Sequence, residues 1–327
     1  MTARALDLQG RVALVTGATD GIGRVAARVL AERGATVLVA GRDAAKTEAA
    51  VAGIRRAAGH AEVHGLLADL SLQAEVRALA AQVSQRWPRL HILVNNAGAV
   101  FGERRETADG IERTWALNHL AYFLLTHELL PALRAGGQPA RSTRVVNVAS
   151  RSHQRVRGIR WGDVEHRRWY FGPLAYAQSK LANVLFTYAL ARRLDAASAP
   201  ITANVLHPGV VRTNMGRNNR APWWRLGYTV FGWMGVSAEQ GADTILYLAA
   251  APEVEGVSGQ YFMERRAVPS SRASRDEAAA ERLWELSARM TRLGDSGEAG
   301  VSRGAPAPEA REDTLTLTNW RRSRTRE

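Results

Sequence analysis

The chain has 327 residues, 46% of them hydrophobic and 23% charged, and it contains no cysteine. That composition excludes a wholly disordered chain, a collagen-like repeat, a disulfide scaffold, thiol catalysis and cysteine-ligated zinc. The net charge is +13, yet of 44 basic residues only Lys46 and Lys180 are lysine, so the charge reads as an arginine bias spread along the chain, and no nucleic-acid partner is expected.

Residues 11–16, RVALVT, are a short apolar run with β-branched members, which predicts a buried strand. A helix follows over 22–33, with Ile22, Val25, Ala26, Val29 and Leu30 on one face and Gly34 as its stop. The alternation continues through strand 35–40 and helix 43–58, with Asp43 as N-cap and Gly59 beyond its end. Then come strand 62–67, helix 72–86, strand 90–95, helix 112–133, strand 144–150, a long helix 174–195 and strand 201–207. Ser237 with Gln240 spells a capping box that opens a helix to about Ala250. A last strand fits 259–263 and a last helix 276–292. This order predicts right-handed βαβ units and a parallel sheet covered on both faces. Residues 1–294 read as one domain, and 295–327, rich in Gly, Pro, Ala, Glu and Arg, as a mobile tail. No run reaches the about 18 apolar residues of a membrane span, and MTARALDLQGR lacks a signal peptide's apolar core. A soluble, cytoplasmic protein is expected.

Thr16-Gly17-Ala18-Thr19-Asp20-Gly21-Ile22-Gly23 joins the first strand to the first helix. Gly17 permits a tight turn, Gly21 lets a pyrophosphate approach the backbone, and Gly23 allows close packing of helix on strand. The helix end presents N–H groups and a positive dipole to phosphates. The glycines at 17, 21 and 23 depart from the G-x-G-x-x-G spacing, and a tight turn with no ligand is the alternative. Arg42 follows the second strand, where an arginine accommodates a ribose 2′-phosphate and an acidic residue would bind the 2′-hydroxyl. Asp43 fits better as a helix cap than as that acidic residue. NADP is therefore favoured over NAD.

Tyr176 and Lys180 stand four residues apart on the long helix and share one face. An adjacent ammonium favours the phenolate, so this tyrosine suits proton transfer. Ser150, at the end of the fifth strand, can hydrogen-bond a substrate carbonyl. Taken singly, a surface i,i+4 pair and a capping serine would explain these residues equally well.

Together with Asn95-Asn96-Ala97-Gly98, Asn118, and Pro208-Gly209 with Thr213, the set resembles the short-chain dehydrogenase/reductase family over about residues 8–293. AYAQSKLANVLFTYALARR at 175–193, SGQYF at 258–262 and RLWELS at 282–287 look like its retinol-dehydrogenase-like branch. The resemblance implies a Rossmann-type doubly wound parallel sheet of about seven strands, and a hydride transfer between a nicotinamide cofactor and a carbonyl/alcohol pair. Tyr176 would be the general acid/base. Lys180 would bind the nicotinamide ribose and assist the tyrosine, Ser150 would orient the reacting oxygen, and Asn118 would hold a water in a proton relay. Gly17, Asp20, Gly21, Ile22 and Gly23 would cradle the phosphates. Asn96, Ala97 and Gly98 would line the cleft, Asp69 and Leu70 would flank the adenine, and Val211 and Thr213 would touch the carboxamide. No membrane anchor is expected. A nucleotide-sensing protein without turnover is the alternative, and the intact Asn118, Ser150, Tyr176 and Lys180 argue against it.

Two segments bear on the substrate. Residues 151–175 hold His153, Trp161, His166, Trp169, Tyr170 and Phe171, and residues 221–236 hold Trp223, Trp224, Tyr228, Phe231, Trp233 and Met234. One reading is an apolar pocket with a lid at about 215–236 for a lipophilic carbonyl or alcohol. The others are aromatic packing, a contact between copies in a homo-oligomer, and peripheral docking on a membrane with Arg220 and Arg225. His153 and His166 lack a third ligand at metal spacing, so no metal is expected.

Overall fold

Strands buried on both faces need apolar residues at every position, and the runs read from the sequence supply them. A computed structural model describes residues 7–59, 62–138, 140–211 and 235–293. The tail at 295–327, the 215–236 lid with its aromatic residues, and Thr213 lie outside or almost wholly outside these residues. In chain order the first half is β1 (Val12–Thr16), α1 (Gly21–Glu32), β2 (Thr36–Gly41), α2 (Ala44–Ala58), β3 (Val63–Leu67), α3 (Gln73–Arg86) and β4 (Ile92–Asn95). Next come α4 (Arg113–Trp115), α5 (Ala121–Glu128), α6 (Leu130–Gly136), β5 (Thr143–Val148), α7 (Gly172–Ala196) and β6 (Ile201–His207). The described chain ends with α8 (Ala238–Ala250), β7 (Tyr261–Met263), β8 (Arg266–Ala267) and α9 (Glu277–Met290).

The strand order is β3-β2-β1-β4-β5-β6-β7-β8, and every pairing is parallel except β7 with β8. This is the doubly wound α/β sheet expected, with one strand more. The eighth closes a hairpin through Glu264 and Arg265, both at positive φ (52° and 61°). A two-residue hairpin turn with two positive φ values ordinarily uses Asn or Gly, so the sequence carried no signal for it. Here Arg265 is held by Asp243 of α8 through both guanidinium branches.

Alternate residues of each strand feed opposite layers. Ala13, Val15, Val37 and Val39 pack toward α1, α2 and α8, whereas Leu14, Leu38 and Leu93 pack toward α3, α5 and α7. Arg144, the second residue of β5 and only 5% exposed, ties β5 to the end of α8. Its guanidinium donates to Val254 O (2.8 Å), Leu248 O (3.4 Å) and Ala251 O (3.4 Å) and pairs with Glu255 (2.8 Å). A planar fork reaches these acceptors and a lysine ammonium could not.

The single helix expected over 112–133 is broken in two places. Ala116–Leu120 is a π-turn, and a second break falls at Leu129. Pro131 explains the latter, since it offers no N–H to the carbonyl four residues back and crowds it. No helix among the described residues is long and apolar enough to cross a membrane.

Candidate active site

The strand order reverses between β1 and β4, and the loops after β1, β4 and β5 emerge at the carboxyl edge of the sheet, where such folds bind ligands. Gly17 (φ 63°) and Gly21 (φ 55°) turn the chain from β1 into α1. A Cβ on Gly17 would lie 2.9 Å from Ala97 Cα, and one on Gly23 would lie 2.4 Å from Asn96 Nδ2 and 2.5 Å from Gly17 O. Gly23 thus allows α1 to close on the loop and Asn96, rather than on the strand itself.

Asn96 is a clasp. Its Nδ2 donates to Thr16 O (2.8 Å) and Gly17 O (3.2 Å). Thr16 Oγ1 accepts from Asn96 N (2.9 Å) and Ala97 N (3.0 Å). The sequence reading included Thr16 in the loop motif without giving it a role; the signal for one was a lone hydroxyl closing an apolar strand. The Asp20 carboxylate caps α1 at Gly21 N (2.8 Å), while the other first-turn N–H groups have no intrahelical acceptor. Ile22 is buried in the core facing α8. Val211 stands beside it: a Cβ on Gly241 would meet Val211 at 2.5 Å and Ile22 at 2.7 Å.

Asp43 caps α2, accepting from Lys46 N (2.9 Å), so its carboxylate is committed. Arg42 is exposed. Asp69 lies in the field of Arg42 and Arg113. Burial raises its pKa, but hydrogen bonds from Ser71 Oγ (2.7 Å) and N (3.0 Å), with the two arginines, hold it below the usual range. Leu70 is buried in the core facing α3.

Asn118 sits inside the π-turn, fully buried. Its Oδ1 accepts from Ala99 N (2.9 Å) and its Nδ2 donates to Ala99 O (2.9 Å) and Ser179 Oγ (3.1 Å). The π-turn is a frequent device at functional positions. A Cβ on Gly98 would stand 3.2 Å from Asn118 Oδ1 and 3.4 Å from Lys180 Nζ, so Gly98 leaves room for both.

Tyr176 is half-buried and Lys180 fully buried on the same face of α7. Lys180 Nζ donates to Val148 O (2.9 Å) and lies 5.6 Å from the Tyr176 ring centroid and 5.4 Å from that of Tyr122. Burial lowers its pKa to about 7. Beneath it a polar ladder crosses the sheet. Asn95 Nδ2 donates to Asn147 Oδ1 (2.9 Å) and Thr126 Oγ1 (3.0 Å), and Asn147 Nδ2 donates to Thr187 Oγ1 of α7 (2.9 Å). Polar residues inside the apolar runs 90–95 and 144–150 were the signal for this ladder.

Ser150 caps the short 3₁₀ helix Arg151–Arg155 through Ser152 N (3.2 Å). His153 supports it: Nε2 accepts from Ser271 N (3.2 Å), so Nδ1 carries the proton donated to Ser150 O (2.7 Å). The aromatic loop divides. His153 and His166 are buried, Trp161 packs against α7 and α9, and the Tyr170 hydroxyl bonds Phe101 O (3.2 Å) and Thr114 Oγ1 (3.0 Å). For these four, packing is the role seen. Trp169 and Phe171 are exposed. A separate open cleft of about 800 Å³, lined by Tyr188, Arg192, Ser258, Ser270 and Arg275, lies on the β7–β8 side and includes neither Tyr176 nor Lys180. Among the described residues no three His, Asp or Glu side chains gather as metal ligands.

The family model described as "short chain dehydrogenase" matches residues 11–223. The chain is 44% identical to polyprenol dehydrogenase of Mus musculus over 295 residues, covering 90% of this chain and 87% of that protein. It is 40% identical to retinol dehydrogenase 12 of Homo sapiens over 287 residues, 87% of each. Among solved structures, the RhlG/NADP active-site complex of Pseudomonas aeruginosa superposes with a TM-score of 0.62 at 29% identity, covering 80% of this chain and 97% of that one.

Proposed function

The chain belongs to the short-chain dehydrogenase/reductase family, and from that premise we propose that it is an NADP(H)-dependent oxidoreductase for a lipophilic alcohol/carbonyl pair. The observation that carries the reading is Lys180. A lysine ammonium, one of two in an arginine-rich chain and buried at a cost, stands one helical turn from Tyr176.

The residues present fit a nicotinamide dinucleotide. Gly17 and Gly21 turn at positive φ below the open N-terminus of α1, which suits a pyrophosphate. Asp69, with Arg42 close by, offers an adenosine subsite, and Ile22 with Val211 offers a wall for the nicotinamide end. When bound, the nicotinamide supplies or takes up the hydride. Tyr176 gives its hydroxyl proton to the carbonyl oxygen in reduction and removes the alcohol proton in oxidation. Lys180, on the same helix face, sets the charge around that hydroxyl and renews its proton. With a pKa near 7, its ammonium exchanges a proton at neutral pH with little driving force either way. Ser150, its backbone braced by His153, orients the reacting oxygen. Asn118 keeps the floor of the site in register with Ala99.

Lipophilic substrates are proposed because the relatives are named for polyprenol and retinol, and because the loop before Tyr176 is aromatic. A cofactor-consumption screen over alcohols and aldehydes of increasing apolar length tests the reading. The expected result is NADP-linked turnover with kcat/KM rising with length. Cofactor binding without turnover on any of them would favour the nucleotide-sensing alternative. Arg42 reads the 2′-phosphate in this scheme, because Asp43 is committed to its cap. Arg42→Ala should weaken NADP(H) binding by about 1.5–3 kcal/mol, the scale of a charged hydrogen bond, and leave NAD(H) almost unchanged. Equal weakening of both cofactors, measured by fluorescence titration, would remove Arg42 from that role.

A further inference from the structure

The stretch leading into α7 presents an apolar wedge in a basic frame. Trp169 and Phe171 are 56% and 48% exposed. Their rings stack with centroids 5.9 Å apart and planes 26° off parallel. Alternation along an extended segment puts both on the outer side and Tyr170 on the inner, where two hydrogen bonds pin it. Phe171 is also fixed, since its carbonyl accepts from Leu174 N (2.9 Å) and Ala175 N (3.0 Å) at the start of α7. The wedge is therefore held rigidly in water, with nothing of its own chain among the described residues to shelter it.

The segment that carries the wedge is basic, although Glu106 of the loop packed beside it also pairs with Arg167 (3.1 Å). Between 151 and 171 there are six arginines and only two acids, Asp163 and Glu165. Both acids are engaged locally. Asp163 accepts from Arg167 N (2.7 Å) and Arg168 N (3.2 Å). Glu165, 15% exposed, pairs with Arg167 (3.0 Å) and accepts from Glu112 N (3.0 Å). Arg168, next to Trp169, is exposed and has no carboxylate at ion-pair distance among the described residues.

We propose that Trp169 and Phe171, with the exposed Arg168 beside them, form a docking site for an anionic phospholipid surface. Tryptophan suits the headgroup boundary because its ring is apolar and its N–H wet. Each arginine brought to an anionic bilayer strengthens binding about five-fold. A second copy of the chain fits poorly, because a two-fold contact centred on the wedge would lay the same basic patch against itself. The surface extends the lipophilic-substrate reading: docking would hold the start of α7, and Tyr176 five residues on, beside a membrane-dissolved substrate.

The test uses the full chain without substrate or cofactor, so its outcome is separate from that of the turnover screen. Sedimentation with vesicles of phosphatidylglycerol and phosphatidylcholine should show binding that grows with the anionic fraction. Binding should fall steeply between about 50 and 500 mM salt. Trp169→Ser/Phe171→Ser should weaken it at least about ten-fold and Arg168→Glu at least about five-fold, each with a wild-type thermal melt. Trp169→Phe, which keeps the packing, should reduce tryptophan quenching by brominated lipid and covers the case in which the double variant does not fold. Absence of wild-type binding to anionic vesicles overturns the proposal. So does unchanged binding and quenching in the Trp169 variants, and so does light scattering in which these variants instead dissociate a dimer that ignores vesicles.

Discussion

Tyr176→Phe is expected to lower kcat by at least about 100-fold, the low end for a positioned general acid, with the cofactor dissociation constant changed less than about two-fold. Reduction of a carbonyl leaves negative charge on oxygen, and only a group with a transferable proton at that point relieves it. Phenylalanine keeps the ring against Lys180 and removes the proton. The ring makes no contact that binding of phosphate or adenine would need, so affinity and turnover should separate. Steady-state kinetics with fluorescence titration of the cofactor checks both. A phenylalanine variant with wild-type turnover would end the assignment of Tyr176.

Lys180→Met should abolish turnover and yet raise stability near pH 7 by about 1–3 kcal/mol. The wild-type ammonium is buried with no carboxylate beside it among the described residues, and burial has brought its pKa from 10.5 to about 7. Its charged form is thus disfavoured in the fold. Methionine keeps the stem's packing but orphans Val148 O, which offsets part of the gain. The pH signature is specific. Between about 7 and about 10 the unfolded chain binds the lysine proton and the folded chain does not, so wild-type stability rises with pH across that window and is lost again as pH falls through it. Below about 7 both states are protonated and the cost is constant. In Lys180→Met the rise should be absent, which urea melts at several pH values will show. Lys180→Arg should fail differently, losing turnover and stability together. Nζ fits between Gly98, Val148 O and two phenol rings, and a guanidinium has five donors to place in that space.

The parts of this molecule that were legible in the sequence are those where one residue type meets one physical demand. Gly17 and Gly21 answer positive φ, Asp43 and Ser237 answer open helix ends, and Tyr176 with Lys180 answers a shared helix face. Apolar runs gave seven strands because each was long enough to be distinctive. β8 was hidden because two residues carry no period and its turn uses Glu264 and Arg265. The π-turn was hidden for another reason: one extra residue in a helical register alters direction without altering composition, so 112–133 still read as one helix. Asn96 reads in the sequence as a cleft-lining residue, and what the sequence does not show is that its amide clasps the Thr16 and Gly17 carbonyls. Such long-range pairings have no local signature. Trp161 and Trp169 look alike in sequence and part company only because Trp161 meets α7 and α9 and Trp169 meets solvent.

The ladder from Asn95 through Asn147 to Thr187 has a consequence for how the catalytic helix keeps its place. From Ala177 to Ala191 nearly every side chain of α7 is buried, on all sides of the helix. A cylinder greasy all round has little hydrophobic reason to prefer one rotation over another. A slip by one residue turns it about 100°, which would carry Tyr176 to the wrong side while burying almost the same area. Directional bonds penalise that slip where apolar contact does not. Asn147 to Thr187 and Lys180 to Val148 O act like the teeth of a key in an otherwise smooth barrel.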